Sequence, residues 1–334
     1  MPNWLEGKTY AANIEAVQMK LGGVSISANF GAGDEYFLDP TNGSDSNDGK
    51  TPATAFASLL VGYAALTADQ NDVLYHIGGA TGATMDAEVL DWSKSYTHYV
   101  GLCAPTHVAQ RARVHHEVAT VTGLSPLLTI SGNGCIFKNL YIFSGCADAT
   151  NLINVKVTGL RNYFENVHFA GGGNATQAIN GGASLNLAAP AAENTFVDCT
   201  IGVDTVAAAT GMVGLLFNGG TGSLHTTRNV FENCRFTMKA GNGGAAFVEM
   251  MTIYDIDRYT TFENCKFINL ASTAMDSAFV MPAGIDPNDK RLLMFGCRSI
   301  GATTWDANDR GMLYGDMAAV VPVDLSGSLL EMIT

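Results

Sequence analysis

The sequence predicts an all-β solenoid, a parallel β-helix, on three observations. From about residue 130 a seven-residue pattern recurs six times: Ile136-Phe-Lys-Asn-Leu-Tyr-Ile142, Tyr163-Phe-Glu-Asn-Val-His-Phe169, Thr195-Phe-Val-Asp-Cys-Thr-Ile201, Val230-Phe-Glu-Asn-Cys-Arg-Phe236, Thr261-Phe-Glu-Asn-Cys-Lys-Phe267 and, more loosely, Leu293-Met-Phe-Gly-Cys-Arg-Ser299. Within each pattern apolar and polar residues alternate, the period of a strand with one buried face. Between patterns the chain is rich in Gly, Asn, Ala and Thr, and the spacing varies over 27, 32, 35, 31 and 32 residues. A short strand cannot bury an apolar face alone, so each repeat must stack on its neighbour, and coils with loops of unequal length accommodate the variable spacing.

Stacking places equivalent residues about 4.7–4.9 Å apart in columns. Phe137, Phe164, Phe196, Phe231, Phe262 and Met294 make an inward aromatic column. Leu140, Val167, Cys199, Cys234, Cys265 and Cys297 make a second. Asn139, Asn166, Asp198, Asn233, Asn264 and Gly296 make a third, where the inward pattern slips by one residue. Asparagine tolerates the left-handed conformation of a tight bend, and its amide can bond to the coils above and below.

The preceding elements are read from local signals. Thr9 can cap a short helix through Leu21, stopped by Gly22-Gly23, so residues 1–33 are expected to form an N-terminal docking arm. Glu35 to Asp39 reads as a strand, Pro40 to Lys50 as a turn-rich loop, Ala53 to Leu66 as a helix able to cap a coil end, and Asp72 to Ile77 as a strand. Ser95 to Val100 and Arg113 to Val121 are expected to supply earlier coils. The β-helix then covers residues 34–300, in seven or eight coils, and residues 301–334 form a C-terminal cap.

Composition narrows the function. Lys plus Arg number 18 against 31 Asp plus Glu, a net charge of −13, without a basic cluster, which argues against nucleic-acid binding. No run of 18 apolar residues exists, so no membrane-spanning helix is expected. Met1 to Glu6 has no basic n-region leading into an apolar stretch, so the chain is expected to be made in the cytosol with reduced thiols. Only 15% of residues are charged, against about 25% in ordinary domains. A surface rich in Ser, Thr and Asn explains this, and so does a surface covered by sister subunits.

Candidate chemical groups are few. Cys199, Cys234, Cys265 and Cys297 read as stacked core thiols: parallel side-chain vectors do not face one another, and there is no Cys-x-x-Cys. The histidines, His76, His98, His107, His115, His116, His168 and His225, are scattered and imply no metal. Asp39, Asn42, Asp45, Asn47 and Asp48 resemble calcium ligands but lack EF-hand spacing, so turn formation is the first reading and a bound cation the second. Asp255 and Asp257, two apart and able to share one strand face, form with Glu249 and Asp276 the best acidic cluster for glycoside chemistry. A solvated coil face or a subunit contact is the competing reading for them. Ser223-Leu-His225 lacks a nucleophile-elbow motif and carries no hydrolase reading. No cofactor is expected.

The stretch Tyr36-Phe-Leu-Asp-Pro-Thr-Asn-Gly-Ser-Asp-Ser-Asn-Asp-Gly-Lys-Thr-Pro-Ala-Thr-Ala-Phe-Ala-Ser58, with Asn71-Asp-Val-Leu-Tyr75 beyond it, resembles the right-handed parallel β-helix, pectate-lyase-like superfamily. With the asparagine repeats, the resemblance covers about residues 34–300. Tyr99-Val-Gly-Leu-Cys-Ala-Pro105, followed by Gln110-Arg-Ala-Arg113, is similar to β-helix proteins of tailed-phage structural gene clusters. That likeness implies a virion component, made in the host cytoplasm: a head decoration protein, or a fibre or spike. Its partners would be capsid or tail proteins, and self-association, as a trimer for example, would cover the coil flanks. The Asn-Thr-Asp, Asp-Asp, Gly-His-Gly and Arg-Ile-Lys motifs of polygalacturonase-like members do not occur, and no lyase calcium set can be placed. The expectation is therefore a non-enzymatic structural protein. The alternatives are a capsule depolymerase using Asp255 and Asp257, and a glycan-binding module without turnover.

Overall fold

The computed structural model describes residues 33–85, 88–116, 123–220, 225–252, 255–282, 290–306 and 313–315. Almost every element is a short parallel strand, and the strands form three sheets. One coil shows the plan: Ile136–Lys138 lies in the first sheet, Tyr141–Phe143 in the second and Ile153–Val157 in the third. The next coil repeats it with Tyr163–Glu165, His168–Ala170 and Ala183–Ala188, each pairing parallel with its predecessor. The third sheet has 8 strands, which sets the number of complete coils at the upper end of the expected range. The path continues past residue 300 through Ala302–Asp306 and Leu313–Gly315. The helix expected near Thr9 lies outside the described residues.

The aromatic column follows from this register. Phe137, Phe164, Phe196, Phe231 and Phe262 pair in sequence and are fully buried. Their ring centroids lie 5.2, 4.5, 4.5 and 5.0 Å apart at interplanar angles of 14°, 4°, 7° and 10°. Phe169, Ile201, Phe236 and Phe267 make a second buried column from the second sheet. The edges of Phe169 and Phe267 meet the faces of the first column, an arrangement favoured by the ring quadrupole.

The bend between the first and second sheets is left-handed in coil after coil. Asn139, Asn166, Asp198, Asn233 and Asn264 have φ between 51° and 57°, and Gly296 has 62°. Each main-chain N–H of the five donates to the next coil, at Glu165 O, Val197 O, Glu232 O, Glu263 O and Phe295 O. Asn166 Nδ2 donates to Asn139 Oδ1 at 2.9 Å, and Asn139 Nδ2 donates to the carbonyls of Gly101 and Cys103. A Cβ at Gly296 would run into Asn264 Oδ1, so glycine ends the column for steric as well as conformational reasons.

All seven cysteines are free. The thiols of Cys199, Cys234, Cys265 and Cys297 donate to the carbonyls of Phe164, Phe196, Phe231 and Phe262 in the coil before, at 3.4–3.6 Å. Burial pushes the Cys234 thiol well above its ordinary range.

The opposite corner carries a second polar column. Asn162, Asn194 and Asn229 are buried, and their Oδ1 atoms accept from the main-chain N–H of Cys135, Asn162 and Asn194 at 2.8, 2.9 and 3.1 Å. The residues just before them, Arg161, Glu193 and Arg228, are also left-handed, and Glu193 bridges the two arginines at 2.7 and 2.9 Å.

The expected helix over Ala53–Leu66 is shorter. A 3₁₀ turn spans Pro52–Thr54 and the α-helix only Leu59–Ala65. Phe56 pairs with Leu38 as a β-bridge, and Ser58 caps the helix at Val61 N–H, so the intervening chain is extended. Leu59 and Leu66 join the core beside Leu38 and Leu74.

The left-handed bend yields a paired prediction. Replacing Asn233 by alanine should cost about 1–2 kcal/mol from the left-handed penalty, read as a lower urea midpoint at constant slope. Replacing it by glycine should leave the midpoint nearly unchanged. Equal loss in both variants would place the residue's contribution in its amide rather than in its backbone.

Candidate functional site

The third sheet presents the most varied outer surface. Asp91, Thr129, Lys156, Asn186, Leu216, Glu249 and Val280 occupy one register position in successive strands. Their neighbours Val155, Leu185, Leu215 and Val248 point into the core, so this row faces outward. Apolar side chains flank it: Ala183, Val213, Leu216 and Ala246 cluster on that face with Ile153 and Val280. Asn186 is buried and its Oδ1 has no hydrogen-bond partner.

Of the acidic residues singled out from sequence, the structure joins Glu249 with Asp255 and separates Asp257. The strand begins at Ile256, so Asp255 lies before it and the two aspartates do not share a strand face. Asp255 is fully buried. Its Oδ1 accepts from Gly219 N at 2.7 Å and Thr252 Oγ1 at 2.9 Å, and its Oδ2 accepts from Thr252 N at 2.7 Å. Its carbonyl takes hydrogen bonds from Thr226 of the preceding coil. Asp255 is thus a tie between coils. Asp257 is half-exposed, 3.5 Å from Arg258 Nε. Asp276 is exposed beside Gly243. Glu249 is half-buried, and burial, helped by the charge of Asp255, raises its carboxyl above the ordinary range. A carboxyl raised in this direction is a property that general acids use.

The first sheet carries a second polar strip. Lys138 pairs with Glu165 at 2.7 Å, and Tyr163 donates to the same carboxylate at 3.1 Å. Glu232 and Glu263 follow in register. Beyond the asparagine bend, Arg235, Lys266 and Arg298 form a cationic column on the second sheet.

The Asp/Asn-rich loop is built from Asx-type turns. Asp39 accepts from the N–H groups of Thr41 and Asn42, Asp45 from those of Ala57 and Ser58, and Asp48 from that of Lys50. These contacts hold Asp48 below the usual carboxylate range, with the Thr54 hydroxyl the largest contributor. Among the described residues no group of three His, Cys, Asp or Glu converges as a metal site.

Three histidines, His76, His98 and His168, are buried. Burial depresses His76 to about 3, and His98 and His168 each to about 4. His76 Nδ1 meets the Tyr99 hydroxyl at 2.7 Å, and His98 Nδ1 accepts from Ile136 N–H. His168 bonds to Gly202 O and accepts from Ala109 N–H. That last bond belongs to a strap, residues 103–112, which also reaches Asn166 through Gln110 and Thr200 through the His107 carbonyl. Ser223 lies outside the described residues.

No family model and no curated protein matches the chain. Solved structures do. A pectate lyase, Pel9A, aligns at a TM-score of 0.58 with 16% identity over 85% of this chain and 66% of its own, so the chain spans about two thirds of that protein. A rhamnogalacturonan lyase aligns at 0.54 with 14% identity, over 81% of this chain and 69% of its own. The ORF18 protein of Geobacillus virus E2 aligns at 0.47 with 12% identity, over 89% of this chain and 56% of its own. At such identities the likeness to the two lyases concerns the fold alone: the chain is a parallel β-helix.

Neutral buried histidines make the fold acid-labile. With folded values below the ordinary 6.5, their contribution is present above pH 6.5 and is lost as pH falls toward 4 and then 3. Calorimetry should show the unfolding temperature dropping over that window. A midpoint unchanged between pH 6.5 and 4 would contradict it.

Proposed function

We propose that this chain is a structural, non-enzymatic β-helix of a tailed-phage particle, a head-associated decoration protein that docks through residues 1–33 and self-associates along its coil flanks. The observation that carries this reading is the fate of the acidic cluster. Asp255 has both carboxylate oxygens engaged in a turn that ties two coils, and Asp257 stands beside Arg258. Their chemistry is structural. The resemblance at residues 99–113 and the sparse charge, 15% of all residues, support the particle assignment. The test is peptide mass spectrometry on density-purified particles from a lysate containing the chain, with binding of the purified protein to capsid and tail components. The chain should band with particles in stoichiometric amount. Absence from particles, with no assembly and no capsid or tail binding, overturns the reading.

A fibre or spike that cleaves polysaccharide is the second reading, and one observation favours it: the raised carboxyl of Glu249 on the outer face of the third sheet. On this reading Glu249 is the proton donor to a leaving sugar oxygen, its carboxyl raised by burial and by the charge of Asp255. It expects new reducing ends on bacterial capsular glycans, lost in Glu249→Gln. The structural reading expects none from either protein.

A further inference from the structure

In the earlier coils the outward rows on either side of the asparagine bend are matched within the chain. On the first sheet Lys138 pairs with Glu165 at 2.7 Å. On the second, His168 and Thr200 lie buried under the 103–112 strap, which bonds to them through Ala109 N–H and the His107 carbonyl. In the coils that follow neither match continues. Glu232 and Glu263 stack in register on the first sheet, with Phe295 next in the row. Arg235, Lys266 and Arg298 stack in register on the second. Among the described residues none of these five charged side chains enters an ion pair. Each row therefore holds like charges about 5 Å apart, an arrangement that costs stability in a sheet.

The geometry points to a second copy of this chain as the group that neutralises both rows, which rests on the self-association in the reading above and names the flank it uses. The acidic row of one copy lies against the cationic row of the next, with coil axes parallel and coils level. The two rows are opposite in sign. They also occupy the same coils, Glu232 with Arg235, Glu263 with Lys266 and Phe295 with Arg298, so they share one axial spacing and meet without a shift along the axis. Both end beside an exposed apolar side chain, Phe295 on the first sheet and Ile300 on the second.

A contact between two different faces of one chain is heterologous, and without a rise along the axis it closes into a ring rather than a filament. A polyanion or an unrelated acidic protein would engage the cationic row and leave Glu232 and Glu263 unmatched. A copy of this chain supplies both signs at the same spacing. The cationic row spans three coils, about 10 Å along the axis, so the contact belongs to the small class that forms weak, transient complexes. Glu263, Lys266 and Arg298 are exposed, so salt screens the attraction.

The test is sedimentation velocity on the intact protein at about 100 μM and low ionic strength, where a small charged contact is strongest. The unaltered chain should sediment as assemblies larger than one chain, and raising the salt about tenfold should weaken association at least about fivefold. Glu263→Lys and Lys266→Glu, both at exposed positions, should each weaken it at least about fivefold. The double variant exchanges the two signs and should regain association to within about threefold of the unaltered chain, a rescue that a folding defect does not give. Should the double variant not fold, the single variants and the salt response decide. A monomer at that concentration in low salt overturns the proposal, as it would if another anionic partner covered the cationic row. An assembly weakened by neither single variant, or by only one of them, also overturns it, as does a folded double variant that stays dissociated. The chain can still band with particles when this contact fails, so the particle reading is tested separately.

Discussion

Parallel in-register pairing is the constraint on which the structure depends. Each residue of a coil meets its equivalent one strand spacing away, so a conformation imposed on one coil is imposed on its neighbours. A left-handed bend at Asn139 allows the next N–H to donate only if the next coil bends at Asn166, and so on to Gly296. The aromatic stack obeys the same rule, since rings 4.5 Å apart tolerate no slip of one residue. The bend and the stack are therefore two readings of one register.

That repetition is why part of the molecule is legible from sequence. The Phe, Asn and Cys columns recur with the same residue types, so weak local signals add. The opposite corner is equally regular in backbone but not in side chain: Tyr96, Gly134, Arg161, Glu193 and Arg228 share a positive φ and little else. Its buried amides, Asn162, Asn194 and Asn229, recur in three coils just before the strand, outside the alternating pattern. The outer row of the third sheet is harder still, because Lys156, Asn186, Leu216 and Glu249 have no chemistry in common. Of the acidic residues, only Glu249 and Asp255 come together, and Asp255 and Asp257 do not share a face. Two-residue spacing implies a shared face only inside a strand, and the strand starts after Asp255.

Function follows from how the polar residues are used. Among the described residues many buried polar groups hold backbone: the asparagine columns close corners, Asp255 ties coils, and the Asx turns at Asp39 and Asp48 fix the first loop. Polar side chains used in this way hold one coil to the next. The departure from that economy is Glu249 on the third sheet.

The register itself is open to direct measurement by native-state amide hydrogen exchange. The N–H groups of Asn139, Asn166, Asp198, Asn233 and Asn264 sit in bends, where an unconstrained turn exchanges quickly, yet each is bonded to the following coil. They should exchange as slowly as the neighbouring strand amides of Phe164, Phe196 and Phe231, through opening of the whole stack. Fast exchange at the five bend positions, with the strand amides still protected, would contradict a ladder shared from coil to coil.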